Sequence, residues 1–173
     1  MISLLGYVFS FLGDPRIWII LSVLTFAVRM VYRKKKIDKL LWTRAFIIFV
    51  GVAMGLAFLS SVVLKDIFQI PRPCSFSESD SNFSPYCLDD PSFPSGHATT
   101  GFAVATGLFL LLRKKVKFPT SLLIYLVGIL PAIGRVMQGV HTFADITAGA
   151  ALGTVFSLVF YFVINRLYKK FKK

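Results

Sequence analysis

The chain has 173 residues, which is room for one domain. Apolar types make up 55% of it and charged residues only 16%, against about a quarter in soluble domains, so an ordinary soluble fold is a poor match. The net charge of +12 invites nucleic acid, but no nucleic-acid motif is present, and the cations fall in blocks between long apolar runs.

The first twelve residues, Met1–Leu12, are apolar but too short to cross a bilayer, and Asp14-Pro15 interrupts the chain behind them. No basic stretch precedes this segment and no small-residue cleavage site follows it, so a removed signal peptide is not expected. Residues 1–14 are read as a short interfacial or partial helix, with a tilted sixth crossing as the alternative. Five runs then read as spans, namely Ile17–Val28, Ala45–Leu64, Ala98–Leu112, Phe118–Gly134 and Ile146–Asn165. The second and fifth reach the ~20 residues a crossing needs, and the others do so once flanking Tyr, Trp, Arg and Lys sit at the headgroups. The expected fold is an all-α integral membrane bundle of five or six transmembrane helices in one domain, 1–173.

Arg33, Lys34, Lys35, Lys36, Lys39 and Arg44 separate spans one and two; Arg113, Lys114, Lys115 and Lys117 separate spans three and four; and Arg166 to Lys173 form a basic tail. These segments share one face, which the positive-inside rule makes cytoplasmic. The opposite face carries Asp14, Asp66, Glu78, Asp80, Asp89, Asp90 and Asp145, and its basic residues are Arg16, Lys65, Arg72 and Arg135. Topology would remove cations from that face, so their presence points to chemistry. Residues 71–93, between spans two and three, form a Ser-, Asp- and Pro-rich extracytoplasmic loop. Cys74 and Cys87 lie in it and are expected to form a disulfide, which would pin Arg72. In the spans, Gly101, Ala105 and Gly107, and the Gly149-x3-Gly153 pair, are read as close-packing sites.

Three short patterns carry the chemistry. Lys65-x6-Arg72-Pro73 places two cations at the end of span two. Pro94-Ser95-Gly96-His97 opens span three, where a serine can cap the helix, free N–H groups favour an anion, Gly96 lets it approach and an imidazole stands beside it. Arg135-x5-His141-x3-Asp145 puts His141 and Asp145 four apart, read as one face on the first turn of span five. A carboxylate on one imidazole nitrogen fixes the tautomer and leaves the other lone pair for attack. Lys65, Arg72 and Arg135 together suit a multiply charged anion such as a transferring phosphoryl group. No metal and no cofactor are called for, because three cations beside the two histidines would repel a divalent ion.

In this combination the chain resembles the type 2 phosphatidic acid phosphatase superfamily of membrane lipid phosphatases. That pattern is Lys-x6-Arg-Pro, Pro-Ser-Gly-His and Ser-Arg-x5-His-x3-Asp; the chain departs from it at Gly134, where the pattern has serine. The resemblance covers Lys65 to Asp145 and implies an active site at the outer membrane–water boundary. It implies His141 as the nucleophile of a phosphohistidine intermediate, Asp145 as its partner and His97 as the acid for the leaving oxygen. It implies Lys65, Arg72, Ser95, Gly96 and Arg135 as phosphate ligands. The expected partners are a membrane lipid phosphate and the bilayer, with no nucleic acid and no obligate protein partner. The expected location is a bacterial inner membrane with the site on the periplasmic side. The compact form is similar to bacterial lipid A 1-phosphatases, which places lipid A first among substrates, ahead of undecaprenyl diphosphate, phosphatidylglycerol phosphate and phosphatidic acid. Two other classes compete: an anionic lipid transporter, disfavoured by polar groups at span ends rather than the midplane, and a haem protein ligated by His97 and His141.

Overall fold

The structure, a computed structural model, describes residues 2–11, 13–14, 16–21, 24, 54–76, 87–113 and 117–171. Most of the first expected span beyond Leu21, the basic segment 33–44, the start of the second span and the centre of the 71–93 loop lie outside the described residues. The described chain is helical, with no strand. Helix α1 runs over Ile2–Phe11, α2 over 16–21, α3 over 54–68, α4 over Gly96–Leu112, α5 over Phe118–Ile124, α6 over Leu126–Met137 and α7 over Phe143–Phe171. Among the described residues, three windows are long and apolar enough to cross a membrane: Leu4–Leu21, Phe118–Met137 and Phe143–Val163. Leucine, valine and phenylalanine side chains such as Leu59, Val63, Leu123, Val155 and Phe162 face outward, as lipid contact requires.

Helix α4 is the hub, packed along α7 on one side and α6 on another. Its seam with α7 is built from small residues. A Cβ on Gly149 would come within 2.6 Å of the Ser95 carbonyl, and one on Gly153 would run into the Thr99 carbonyl. The expected Gly-x3-Gly spacing therefore sets how closely these helices approach. The polar groups of the seam find partners within it: Ser157 Oγ donates to the Ala103 carbonyl at 2.6 Å, and Thr99 Oγ1 to that of Ser95 at 2.9 Å.

The fourth expected span is two helices, α5 and α6, joined at Tyr125, whose N–H turns back to the Leu122 carbonyl at 3.0 Å. Pro131 inside α6 has no N–H for the carbonyl of Val127 four residues earlier. That carbonyl faces Gly101 of α4, where a Cβ would lie 2.9 Å away. Helix α1 packs against α6. The contact is tightest where Gly6 meets Gly134: a Cβ on Gly134 would sit 2.6 Å from the Gly6 carbonyl oxygen and 2.9 Å from the Ser10 nitrogen. Gly134 is where the chain departs from the family's serine, and the α1 backbone fills the space that a side chain there would need.

Candidate active site

Helix α3 delivers Lys65 on its last turns and closes at Gln69, whose left-handed backbone (φ 48°) turns the chain into Ile70-Pro71. Pro71 and Pro73 bar further helix, and Arg72 between them points back into the bundle, 4% exposed. A single turn of 3-10 helix, Pro73–Phe76, follows, with Ser75 donating to the Arg72 carbonyl through both its N–H and its hydroxyl. Cys74 is disulfide-bonded to Cys87, with a Cα separation of 6.0 Å. The chain beyond Cys87 folds back on this corner, where Ser92 N–H reaches the Ile70 carbonyl at 2.8 Å.

This fold-back brings in Asp90, which the sequence reading placed only among the acidic residues of the outer face. Its carboxylate pairs with Lys65 Nζ and with Arg72 Nη2 at 2.7 Å, and its backbone carbonyl accepts from Arg72 Nε at 2.9 Å. Lys65 also donates to the Pro91 carbonyl at 2.6 Å. Partial burial pushes the Asp90 pKa up, but the hydrogen bonds from Lys65 and Arg72 outweigh it and hold the carboxyl below its ordinary range. The signals in sequence are faint: an acidic pair two and three residues past Cys87, on a face with three functional cations.

Ser95 caps α4, its hydroxyl accepting from Ala98 N–H at 3.5 Å, while its own N–H goes to the Asp145 carbonyl at 3.1 Å. It is fully buried behind the first turn and does not line the cleft, whereas Gly96 and His97 do. Arg135 sits in the last turn of α6 and donates through Nη1 to Gln138 Oε1 at 2.8 Å. Gly139, at φ +70°, then reverses the chain so that Val140 and His141 follow.

His141 lies just before α7, and not on its first turn as the spacing suggested. The reason is local. Thr142 caps the helix in a reciprocal box: Thr142 N–H donates to Asp145 Oδ2 at 2.7 Å, and Asp145 N–H donates to Thr142 Oγ1 at 3.2 Å. The box holds Asp145 facing back toward His141, with Nδ1 and Oδ2 3.5 Å apart, an electrostatic contact longer than a good hydrogen bond. On the other side, Arg72 Nη1 lies 3.3 Å from His141 Nε2 and 3.2 Å from the Val140 carbonyl. A guanidinium only donates, so Nε2 carries the lone pair and the proton is on Nδ1, facing Asp145. Burial drives the His141 pKa down to about 4, Asp145 opposes this, and the charges of Arg72 and Arg135 add to the depression.

Lys65, Arg72, Gly96, His97, Arg135 and His141 converge on one cleft of about 160 Å³, with Asp90 on its wall and Asp145 behind His141. Residues from three separate stretches of the chain therefore present two imidazoles and three cations to the same small space. That set suits an anion with several oxygens and a nitrogen nucleophile beside it.

The comparisons agree. The family model described as the PAP2 superfamily matches residues 46–169. Over 120 residues the chain is 29% identical to dihydrosphingosine 1-phosphate phosphatase YSR3 of Saccharomyces cerevisiae, covering 66% of this chain and 30% of that protein. It is 28% identical over 107 residues to sphingosine-1-phosphate phosphatase 1 of Mus musculus, covering 58% and 24%. The match thus spans under a third of these relatives' own length. Among solved structures, the PAP2-type phosphatidylglycerolphosphate phosphatase of Bacillus subtilis superposes with a TM-score of 0.69 at 24% identity, over 95% of this chain and 77% of that one. LpxE of Aquifex aeolicus superposes with a TM-score of 0.69 at 23% identity, over 92% and 84%. Those likenesses establish the fold of an integral membrane protein. With the family model spanning all three motifs, the chain belongs to the PAP2 superfamily, the type 2 phosphatidic acid phosphatase superfamily of membrane lipid phosphatases.

Proposed function

We propose that the protein removes phosphate from a lipid phosphate or diphosphate at the extracytoplasmic face of the membrane, through a phosphohistidine on His141. The observation that carries this reading is the two-sided environment of His141: a carboxylate on the Nδ1 side and a cationic cleft on the Nε2 side. With its pKa depressed, His141 is neutral at pH 7, and its Nε2 lone pair is freed for attack once the phosphate draws Arg72 Nη1 to its own oxygens.

In the proposed reaction the phosphate takes over donors that Arg72 and Lys65 now give to Asp90, and Arg135 and the Gly96 N–H complete its cradle. Ser95 acts by capping the turn that carries Gly96 and His97. His141 Nε2 attacks phosphorus, the imidazolium formed is stabilised by Asp145, and His97 protonates the departing oxygen. Water then attacks the phosphohistidine, giving a proton to His97 and releasing phosphate. The cations supply the charge neutralisation that a metal ion supplies in other phosphatases. The disulfide and the segregation of cations both favour an extracytoplasmic site, and we assign the protein to a bacterial inner membrane with that site on the periplasmic side.

Among substrates, lipid A is placed first, on the fold shared with LpxE of Aquifex aeolicus, a lipid A 1-phosphatase. Phosphatidylglycerol phosphate, undecaprenyl diphosphate and the sphingoid phosphates named in the yeast and mouse relatives follow. The test is phosphate release from purified lipid phosphates in detergent, with and without chelator. Release that persists in chelator supports the reading, and release that vanishes and returns with magnesium or zinc overturns it.

A further inference from the structure

A second chamber of about 260 Å³ adjoins the cleft, sharing His97, Arg135 and Leu88 with it. Its distinctive wall residues are Ser10 of α1 and Gln138 of the turn after α6, with Asp14 and Arg16 toward α2. Ser10, Gln138 and Arg135 are each at least nine-tenths buried. Ser10 Oγ, Gln138 Nε2 and Arg135 Nε have no hydrogen-bond partner among the described residues.

These atoms are of one kind. Gln138 Oε1 accepts from Arg135 Nη1, so the amide is fixed with its Nε2 as the unused donor. Arg135 Nε is a donor by nature, and the Ser10 hydroxyl can be one. The three residues that carry these unused donors all line the chamber, a setting that suits a ligand with several acceptor oxygens. Among the described residues, the one carboxylate lining the chamber is that of Asp14, and it is held by Arg16 through contacts of 2.9–3.2 Å. A third space of about 400 Å³, with Ile19, Met54, Gly55 and Phe58 on its wall, meets the chamber at Asp14, Arg16 and His97. An apolar tail can therefore leave the polar chamber toward lipid.

We propose that this chamber binds a second phosphoryl group, so that the protein prefers lipid diphosphates to lipid monophosphates; the inference rests on the phosphatase reading. The terminal phosphoryl lies in the cleft and the lipid-bound one in the chamber. His141 Nε2 attacks the terminal phosphorus. The bond to the bridging oxygen breaks, its electron pair stays on that oxygen, and His97 protonates it. The lipid monophosphate leaves, and water cleaves the P–N bond, releasing phosphate and returning a proton to His97. Helix α1 gives Ser10 its place, because its backbone lies against Gly134.

The test compares farnesyl diphosphate with farnesyl phosphate, which share a tail, using the full chain in detergent. The wild type is expected to favour the diphosphate in kcat/KM. Ser10→Ala should lower the diphosphate-to-monophosphate ratio about tenfold, the effect of one lost hydrogen bond to a charged group. Gln138→Glu keeps the size and the bond to Arg135 but replaces the free donor with a carboxylate oxygen, so the ratio should fall further. A wild type that favours the monophosphate, or variants that lower both substrates equally, would overturn the subsite. If the wild type hydrolyses neither substrate, the phosphatase reading fails instead. Calorimetry with inorganic pyrophosphate and phosphate still decides the subsite in that case. Tighter pyrophosphate binding, weakened by Ser10→Ala, supports it, and equal binding of the two ions marks a chamber that holds water alone.

Discussion

Restoring the family's serine at position 134 should harm this protein. The new Cβ of Gly134→Ser would lie 2.6 Å from the Gly6 carbonyl oxygen, 2.9 Å from the Ser10 nitrogen and 3.0 Å from Phe9 Cβ. The first two are backbone atoms of α1 and cannot rotate away, so the helix must shift as a body. Overpacking of this kind typically costs ~1–3 kcal/mol, and two backbone contacts put it in the upper half of that range. Serine regains roughly 0.5 kcal/mol of helix propensity over glycine, leaving a net loss of ~1.5–2.5 kcal/mol. For a chain of this size each kcal/mol moves Tm by ~2–4 °C, so the expected drop is ~3–10 °C. Thermal unfolding in detergent, followed by circular dichroism, measures it. Gly55→Ala is the control: nothing lies within 4 Å of a Cβ there, so its Tm should hold or rise. A Gly134→Ser protein as stable as the wild type would refute the packing of α1 on α6.

The two histidines should fail differently: His141→Ala should lose both turnover and base-stable labelled phosphoprotein, while His97→Ala should lose ~10²–10⁴-fold on alkyl phosphates and recover on a nitrophenyl phosphate. Equal rescue of the two would reverse the role assignment. The acid limb of kcat/KM should lie near pH 4 rather than 6.5, because that profile reports the free enzyme and His141 is held neutral there. Stability has the matching sign: the unfolded chain binds the His141 proton more readily between about 6.5 and about 4, so folding stability should fall as pH drops through that window, and a melting temperature that rises there would contradict the burial of His141. Asp90→Asn should tighten vanadate binding about tenfold, ~1.4 kcal/mol, by removing a carboxylate that competes for Lys65 and Arg72, and weaker inhibition would show that Asp90 instead holds those cations in position.

The converging residues were legible because their spacing is local. Lys65 and Arg72 flank one helix end, Gly96 and His97 open another, and Arg135 and His141 bracket one turn. What was not legible depends on contacts between distant segments. Asp90 reaches Lys65 and Arg72 only because the chain after Cys87 folds back under the disulfide. Residues Met1–Leu12 read as apolar, but hydropathy carries no information on which helix they meet. The contact with α6 follows from Gly6 facing Gly134, a pairing of two residues that each look ordinary alone. The displacement of His141 from the helix has its own local signal, since Thr142-x-x-Asp145 has the spacing of a capping box.

The distribution of unsatisfied polar atoms separates scaffold from site. Within the α4–α7 seam, Ser157 and Thr99 hand their protons to nearby helix carbonyls, so the lipid-embedded contact carries polar side chains at little cost. Five buried side-chain atoms among the described residues lack a hydrogen-bond partner; three of them belong to Ser10, Arg135 and Gln138 around the chamber beside the cleft, while His141 Nδ1 faces Asp145. Packing alone gives no reason for that clustering, because a buried orphan costs ~1–3 kcal/mol wherever it lies. A ligand with many oxygens gives one. A substrate that meets these donors relieves their penalties, so they add to selectivity rather than only subtracting from the stability of the fold. Arg135 joins the two spaces, since it lines both and its bond to Gln138 ties one wall to the other. On this argument Arg135→Lys, which keeps the charge but loses the fixed fork, should weaken pyrophosphate binding more than phosphate binding. Calorimetry showing equal losses for the two ions would mean that Arg135 serves the cleft alone.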